Sequence, residues 1–246
     1  MKSTAILTIA LLSMSMASFS CKEVLFTEAQ PQGIVASDQF PDQIRGVFRA
    51  LDTEDPGSSE QKFVRVTNRE VQTYSHRVDS MPYDIDADPN RLPSDLATLS
   101  DGDSVAVTLM GVPVSGILKG EYIYYEVTEI EKFGLSDSVI FKSTGPWSVL
   151  NLREKKGGKY YWTSLVVEQI RNEDILVWFL DYGEEEGVST YFDVKQTEET
   201  ADYQPFYYAS PSQSAFKKYV DAGGFKTLVL WLNEVTDPQL VPSEWK

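Results

Sequence analysis

Residues 148–180 have the sequence SVLNLREKKGGKYYWTSLVVEQIRNEDILVWFL, and this stretch decides the fold. It contains three runs rich in β-branched and aromatic residues, which are joined by Lys156-Gly157-Gly158 and by the polar turn Arg171-Asn172-Glu173-Asp174. Links as short as these connect antiparallel neighbours, because a parallel crossover needs a dozen or more residues. Both faces of the last run, residues 175–180, are apolar, which predicts a central strand covered on each side or a strand that faces a filled barrel interior.

The same pattern of short β-branched and aromatic runs separated by turn residues continues on both sides of this stretch. It is typical of an antiparallel all-β domain. We therefore predict a mainly β fold, an antiparallel up-and-down meander that forms a barrel or a strongly curved sheet, with a β-sandwich as the alternative. The predicted strands cover residues 45–51, 62–67, 71–78, 104–110, 112–118, 121–130, 138–142, 148–153, 159–167, 175–181, 189–195 and 226–232.

Residues 210–224 interrupt the β pattern and predict one short helix near the C-terminus. Ser210 is the expected N-cap, Pro211 the first helical residue, and two glycines end the segment. No fixed-period repeat and no second linker occurs in the sequence. We therefore expect a single β-rich domain over residues 44–246.

The N-terminus has the pattern of an export signal. Lys2 is followed by the apolar run 5–12, which is too short to span a bilayer, since spanning takes about 20 apolar residues. The tetrapeptide Ser18-Phe19-Ser20-Cys21 comes next and resembles the lipobox of bacterial lipoproteins. The resemblance implies that residues 1–20 are a lipoprotein signal peptide and that Cys21 is the lipid-attachment residue. The alternative is an ordinary secretory signal that happens to end at a cysteine.

Residues 21–43 contain two prolines, one glycine and no sustained periodicity. This composition predicts that the lipidated Cys21 is followed by an extended tether. Two or three acyl chains hold a protein on a membrane durably, whereas a single chain holds it only marginally.

Three soft motifs follow: Leu25-Phe26-Thr27-Glu28-x-Gln30-Pro31, then Phe40-Pro41 with Arg45-Gly46, and later Tyr160-Tyr161-Trp162. Together they resemble uncharacterised lipoproteins of Bacteroidetes-type bacteria. The resemblance implies a lipid-anchored protein of the cell envelope, at the outer membrane, without an assigned chemistry. The order of strands, late helix and last strand also resembles lipocalins and related calycin barrels, although their first strand carries G-x-W where this chain has Gly46-Val47-Phe48.

Two further resemblances to that bacterial group concern export and modification. Lys22-Glu23 resembles its surface-export signal, and the choice between the periplasmic and the surface face stays open. Three Asp-Ser triplets resemble its O-glycosylation sites, because an acceptor serine there follows an aspartate. The implied acceptors are Ser80, Ser104 and Ser138.

Composition excludes several classes of function. The chain has 37 acidic and 22 basic residues, a net charge of -15, so it is not expected to bind nucleic acid. One cysteine and one histidine exclude a thiolate zinc site and leave little room for a triad, and we expect no cofactor. The histidine, His76, is expected to be a partly exposed strand residue rather than a catalytic base, since no nucleophile motif accompanies it.

One acidic loop has oxygen ligands on alternate residues, as a calcium loop does. Pro89 occupies the position where an EF-hand has a glycine with positive φ, and no helical pattern flanks the loop. An acidic loop without calcium is therefore the favoured interpretation. The candidate ligands are Asp84, Asp86, Asp88, Asn90 and Asp95.

Aromatic residues alternate on two predicted strands. Tyr122 and Tyr124 oppose Ile123 on one, while Tyr160 and Trp162 oppose Tyr161 on the other. One set of each strand is expected to line the core. The exposed set is either structural or a surface that stacks on sugar rings or docks proteins.

These observations predict a lipid-anchored envelope protein with a non-enzymatic binding domain. Its expected contacts are the membrane, through the N-terminal lipid, and an envelope protein, a glycan or an apolar ligand. Two alternatives stay open. One is a lipid-anchored hydrolase that uses carboxylates, since paired carboxylates cannot be recognised by spacing alone. The other is a lipocalin-like carrier with an apolar pocket.

Overall fold

The computed structural model describes residues 24–51, 60–82, 102, 104–109, 112–170, 174–180, 188–198, 205–225 and 227–245. This part of the chain is mainly β, with fourteen strands and two α-helices, so the predicted fold class is confirmed. The strands belong to one large mixed sheet that is not closed. The predicted closure into a barrel is therefore not observed in the described strands.

The strands are numbered in chain order. They are β1 (Val24–Phe26), β2 (Gly46–Leu51), β3 (Gln61–Val66), β4 (Glu70–Pro82), β5 (Ser104–Leu109), β6 (Val112–Lys119), β7 (Tyr122–Gly134), β8 (Val139–Ser143), β9 (Trp147–Lys156), β10 (Lys159–Gln169), β11 (Ile175–Phe179), β12 (Val194–Gln196), β13 (Tyr207–Ala209) and β14 (Thr227–Glu234). The helices are α1 (Val188–Tyr191) and α2 (Gln213–Asp221), and single 3-10 turns lie at Asp42–Ile44 and Ser243–Trp245.

The strand order along the sheet is β12-β13-β1-β10-β11-β14-β2-β3-β4-β7-β6-β5, and β8 and β9 branch off where β9 pairs with β10. The predicted antiparallel connections are present in β5–β6–β7 and in β8–β9–β10–β11. A purely antiparallel meander, however, is wrong, because β1 and β13 pair in parallel. These two strands lie at opposite ends of the chain, so the long connection between them permits the parallel arrangement.

The ordered fold includes much of the predicted tether. Val24, Leu25 and Phe26 of β1 are at most 1% exposed, and Phe26 lies opposite Trp162 of β10. Further along, Phe40 is also buried. An extended tether over all of residues 21–43 is therefore incorrect for the described residues. A three-residue strand is too short to show periodicity, which is why the sequence pattern did not indicate it.

The strand predicted over residues 189–195 is only partly present. Val188–Tyr191 form the helical turn α1, and the strand β12 is confined to Val194–Gln196. The β-branched residues of this segment favour a strand locally, but tertiary packing overrides that preference. Val188 is buried, and the ring of Tyr191 packs 5.3 Å from that of Tyr219 on α2.

Helix α2 confirms the one predicted helix near the C-terminus, with a different N-cap. Ser212, not Ser210, caps the helix, and its hydroxyl oxygen accepts a hydrogen bond from the Ala215 backbone N–H at 3.3 Å. The buried face of α2 carries Phe216 and Tyr219, which have the helical spacing of three residues.

The chain divides into two compact units. The first contains the described residues of Met1–Pro56, Phe63–Gln72 and Glu131–Lys246. Its core consists of two apolar clusters, and β10 contributes to both, since Leu165 and Val167 belong to one and Val166 to the other. Side chains of strand β11 also pack in both clusters, which confirms the prediction of a strand covered on each side.

The second unit contains the described residues of Gly57–Lys62 and Thr73–Ile130. Its buried side chains include Val105, Leu118 and Ile123, which come from three successive strands. Gly116 of β6 lies so close to β7 that an added Cβ would be 2.5 Å from the Ile123 side chain. The alternate positions on β6 and β7, which include Ile117, Tyr122 and Tyr124, are exposed.

Candidate functional site

Two groups of predicted site residues lie outside the described residues. They are the lipid-attachment residue Cys21 and the candidate calcium ligands Asp84, Asp86, Asp88, Asn90 and Asp95. Both assignments stay predictions.

The segment that follows Cys21 is fixed to the sheet by the buried side chain of Asn151 on β9. Its Oδ1 accepts hydrogen bonds from the Gln30 backbone N–H and from the Ser164 hydroxyl, both at 2.7 Å. Its Nδ2 donates to the Gln30 carbonyl oxygen at 2.8 Å. Asn151 and Gln30 are fully buried, so one amide side chain satisfies both backbone groups of Gln30.

Lys142 on β8 holds the same segment from a second position. Its buried Nζ donates hydrogen bonds to the carbonyl oxygens of Ala29 at 2.7 Å and Pro31 at 2.9 Å. Burial lowers the pKa of Lys142, and the nearby charge of Glu28 opposes that shift in part. A lysine with a lowered pKa can serve as a nucleophile or base, but here the ammonium is occupied by two carbonyl groups of its own chain.

Sequence reasoning missed both Lys142 and Asn151. The available signal was a polar residue inside an apolar strand run, at Asn151 in VLNLR and at Lys142 in VIFKS. What these residues bind could not be inferred, because their partners lie more than 100 residues away in the chain.

An exposed apolar surface lies on β6 and β7 of the second unit, and it is termed the tyrosine face. It consists of Ile117, Tyr122 and Tyr124, which are 46%, 45% and 37% exposed. Ile117 lies opposite Tyr124 across the two strands, so the side chains share one side of the sheet. Lys119 is opposite Tyr122, and its Nζ lies 5.6 Å from the centre of the Tyr124 ring.

The predicted alternation is confirmed on both aromatic strands. Ile123 is buried between the two exposed tyrosines of β7. On β10, Tyr160 is exposed and Trp162 half-buried, whereas Tyr161 is buried with its ring 5.0 Å from that of Phe206.

His76 is a half-buried residue of β4, as predicted, and its Nδ1 is 3.1 Å from the Thr128 hydroxyl on β7. Beside it, Arg77 joins two carboxylates, Asp79 at 3.1 Å and Glu129 at 3.3 Å. Desolvation alone would lower the pKa of Arg77, but its hydrogen bonds to the two carboxylates and their charges raise it overall. Two carboxylates are thus bound to one guanidinium, as parts of an ion-pair network.

Asp221, at the end of α2, is a second carboxylate with specific partners. It accepts hydrogen bonds from the Lys217 ammonium at 2.9 Å and from the Trp147 indole N–H at 3.1 Å. Both bonds lower the pKa of Asp221, with Lys217 having the larger effect. A general acid needs the opposite shift, so this carboxylate has the chemistry of a structural contact between α2 and β9.

The three serines implied as O-glycosylation acceptors lie in different surroundings. Ser80 near the end of β4 and Ser104 at the start of β5 are exposed, whereas Ser138, just before β8, is half-buried. Exposure makes the first two accessible to a modifying enzyme. Modification itself stays a prediction for all three.

Among the described residues, no helix has the length and apolar character needed to cross a membrane. The same residues contain no group of three or more His, Cys, Asp or Glu side chains arranged to hold a metal ion. No known protein family, no curated protein and no solved structure matches this chain. Its own residues therefore carry the functional inference.

Proposed function

We propose that this protein is a lipid-anchored protein of the cell envelope whose β-rich domain binds a partner protein without catalysing a reaction. The observation that carries the proposal is the tyrosine face of the second unit. Tyrosine is enriched in protein interfaces, because it combines a large apolar area with a polar tip and few rotatable bonds.

The composition of the tyrosine face favours a protein over a glycan. Ile117 adds an aliphatic side chain beside the rings. Lys119 approaches the Tyr124 ring, and a sugar that stacked on this ring would need the same space. Three neighbouring exposed apolar side chains are the kind of patch that marks interaction surfaces.

The anchor is supported by the sequence around Cys21 and by the position of β1. Three Cα–Cα steps separate Cys21 from Val24, a reach of at most about 11 Å. Since Val24 is buried in the sheet, a lipid on Cys21 keeps the first unit beside the bilayer. The outer membrane is proposed on the resemblance to lipoproteins of Bacteroidetes-type bacteria, and both its periplasmic and its surface face stay open.

The two alternatives have less support. A carrier needs a closed barrel around an apolar pocket, and the described sheet is open. A hydrolase needs a carboxylic acid that stays protonated near neutral pH, whereas the pKa of Asp221 is lowered and the Asp79–Glu129 pair is bound to Arg77.

The test has two arms. Metabolic labelling with a fatty-acid analogue is expected to mark the wild type and not Cys21→Ala, so equal labelling of both would refute the anchor. A photo-crosslinking amino acid at position 122 is expected to capture a discrete envelope protein in cells, and Ile117→Ala with Tyr124→Ala to abolish the adduct.

Position 240 is the matched crosslinking control, because Leu240 is 60% exposed and lies outside the tyrosine face. The same adduct from both positions would contradict a specific surface. Turnover of a glycoside or ester that one acid-to-amide change abolishes would replace the proposal with the hydrolase alternative.

A further inference from the structure

The β9–β10 hairpin of the first unit is cationic, although the whole chain is acidic. Residues 153–162 contain four basic side chains and one acidic side chain, a local net charge of +3 in a chain of net charge -15. The acid, Glu154, is already occupied, since it binds the Thr163 hydroxyl at 2.7 Å and the Lys156 ammonium at 3.3 Å. The hairpin therefore carries three more positive than negative side chains.

One side of the hairpin combines cations with aromatic rings. Arg153 lies opposite Trp162, and Lys155 lies opposite Tyr160. Because side chains alternate along a strand, these four residues project from the same side of the sheet. They are termed the cationic platform: Arg153, Lys155, Tyr160 and Trp162.

Two aromatic rings hold the Arg153 guanidinium in place, and these contacts do not occupy its hydrogen-bond donors. Its centre lies 4.0 Å from the centre of the Tyr160 ring and 5.7 Å from that of Trp162. Its Nε is buried, and no acceptor among the described residues forms a hydrogen bond with it. Within the described ranges, neither Arg153 nor Lys155 has a side-chain ion pair.

We propose that the cationic platform binds a carboxylate-bearing polysaccharide. A guanidinium that stacks on a ring is already oriented, and its planar fork of donors matches the two oxygens of a carboxylate. Lys155 supplies a second cation beside it. The Tyr160 side chain is 54% exposed, and Arg153 covers one face of its ring, so the other face is available for the apolar face of a sugar ring.

The net charge of the chain does not prevent this binding. At physiological ionic strength the Debye length is about 8 Å, so distant carboxylates are largely screened from a ligand on the platform. One acid on a neighbouring turn is Asp137, which is exposed next to Ser138, whose carbonyl oxygen accepts a hydrogen bond from the Arg153 backbone N–H.

The direction of β1 favours a polymer over the headgroups of the membrane that holds the protein. Strand β1 is antiparallel to β10, with Phe26 opposite Trp162, so the chain toward Cys21 leaves on the side of Ser164. The turn of the hairpin, at Gly157, lies on the other side of Trp162. The preference for a polymer over headgroups rests on the proposed anchor. The positive charge of the platform and its stacking surface do not depend on that anchor.

The test is calorimetric titration of the full chain with polygalacturonate, and with the same polymer after complete methyl esterification. The two polymers share their sugar rings and differ in the carboxylate charge. We expect binding of polygalacturonate and a loss of at least about tenfold in affinity for the ester, since a hydrogen bond to a charged group contributes enough for that factor.

Two variants separate charge from stacking. Lys155→Gln is expected to weaken polygalacturonate binding about threefold or more and Tyr160→Ala about tenfold. Lys132→Gln is the matched control, because Lys132 is an exposed strand lysine away from the hairpin, and its affinity should stay within about twofold of wild type. Circular dichroism of each variant confirms that the fold is retained.

Three results with soluble polymers would overturn the proposal. They are equal affinity for the acid and ester forms, unchanged affinity in both hairpin variants, and competition by polyglutamate as strong as by polygalacturonate, which would indicate an acidic protein instead. Preferential binding of anionic phospholipid vesicles would also overturn it. Because no lipid anchor enters the titration, its outcome is independent of the labelling of Cys21.

Discussion

Lys142 and Asn151 bind residues 29–31 through side chains, in the way that a neighbouring strand would bind them through its backbone. Each side chain contacts two backbone groups of that segment, and all of these contacts are buried. Buried polar groups without partners are costly, so the two residues stabilise the first unit only as long as both ends of each contact are present.

Lys142→Met tests this balance. The substitution removes a buried ammonium, which relieves its desolvation, but it leaves the carbonyl oxygens of Ala29 and Pro31 unpaired. Unpaired buried acceptors cost about 1–3 kcal/mol each, and we expect the loss to prevail, with the free energy of unfolding about 2 kcal/mol lower. Urea denaturation at pH 7 measures the change.

The same variant has a pH signature. Because burial lowers the pKa of Lys142, the unfolded chain binds this proton more tightly between the folded-state pKa and the ordinary value of 10.5. The contribution of Lys142 to stability therefore rises with pH across that window. The deficit of Lys142→Met should grow there, while that of Lys218→Met, an exposed control, should not. A deficit that shrinks with rising pH would contradict the role of burial.

Helix α2 packs on one of the two apolar clusters, and Phe216 is one of its two buried side chains. This ring is fully buried and packs edge-on against Phe26, Trp147 and Phe225 at centroid distances of 5.6, 6.2 and 5.7 Å. The hydrogen bond from Trp147 to Asp221 adds a polar contact at the end of the helix.

Phe216→Ala should lower the free energy of unfolding by about 3–5 kcal/mol, because it removes a large buried ring and leaves a cavity. Ser214→Ala on the exposed side of α2 is the matched control and should change stability by less than about 0.5 kcal/mol. Urea titration followed by circular dichroism compares the two. Similar values for both would show that α2 contributes little to the core.

At the level of elements, the sequence predicted local structure well and distant pairing poorly. The β9–β10 hairpin could be predicted because two adjacent glycines can adopt the positive φ that a tight turn needs and that other residues rarely adopt. In the structure, Gly157 and Gly158 both have positive φ. Strand β1 was missed because its three residues have no pattern of their own. Its parallel partner β13 is about 180 residues away, and no local rule connects them.

The candidate surfaces likewise include features that one strand alone predicts and features that depend on the pairing between strands. Alternation along one strand correctly separated Tyr122 and Tyr124 from Ile123, because a strand alone determines which side chains share a side. The Arg153–Tyr160 stack and the Lys142 contacts needed the register between strands, which a hydrophobic pattern does not specify residue by residue.

For the whole molecule, the main correction concerns where the fold begins. The composition of residues 21–43 resembled a tether, yet Val24, Gln30 and Phe40 are each buried. The two prolines and one glycine of this segment predict an extended tether, whereas the segment is held by tertiary contacts with β8, β9 and β10.

A pair of truncations tests that correction. A chain that starts at Lys22 should keep the stability of the full domain. A chain that starts at Ile44, the predicted domain boundary, should lose cooperative unfolding, because it lacks β1, removes both carbonyl partners of the Lys142 ammonium and removes the Gln30 partner of the Asn151 amide. Thermal denaturation followed by circular dichroism measures both. Equal melting temperatures would mean that residues 24–43 are dispensable.

Under the proposed export, the parallel pairing of β1 with β13 also bears on the order of events during secretion. Residues 207–209 emerge late from a translocation channel, so β1 cannot pair with β13 until nearly the entire polypeptide has crossed. The proposed cleavage before Cys21 would therefore act on the chain before this pairing forms. Maturation is thus expected to precede final assembly of the sheet, and the topology itself supplies the delay.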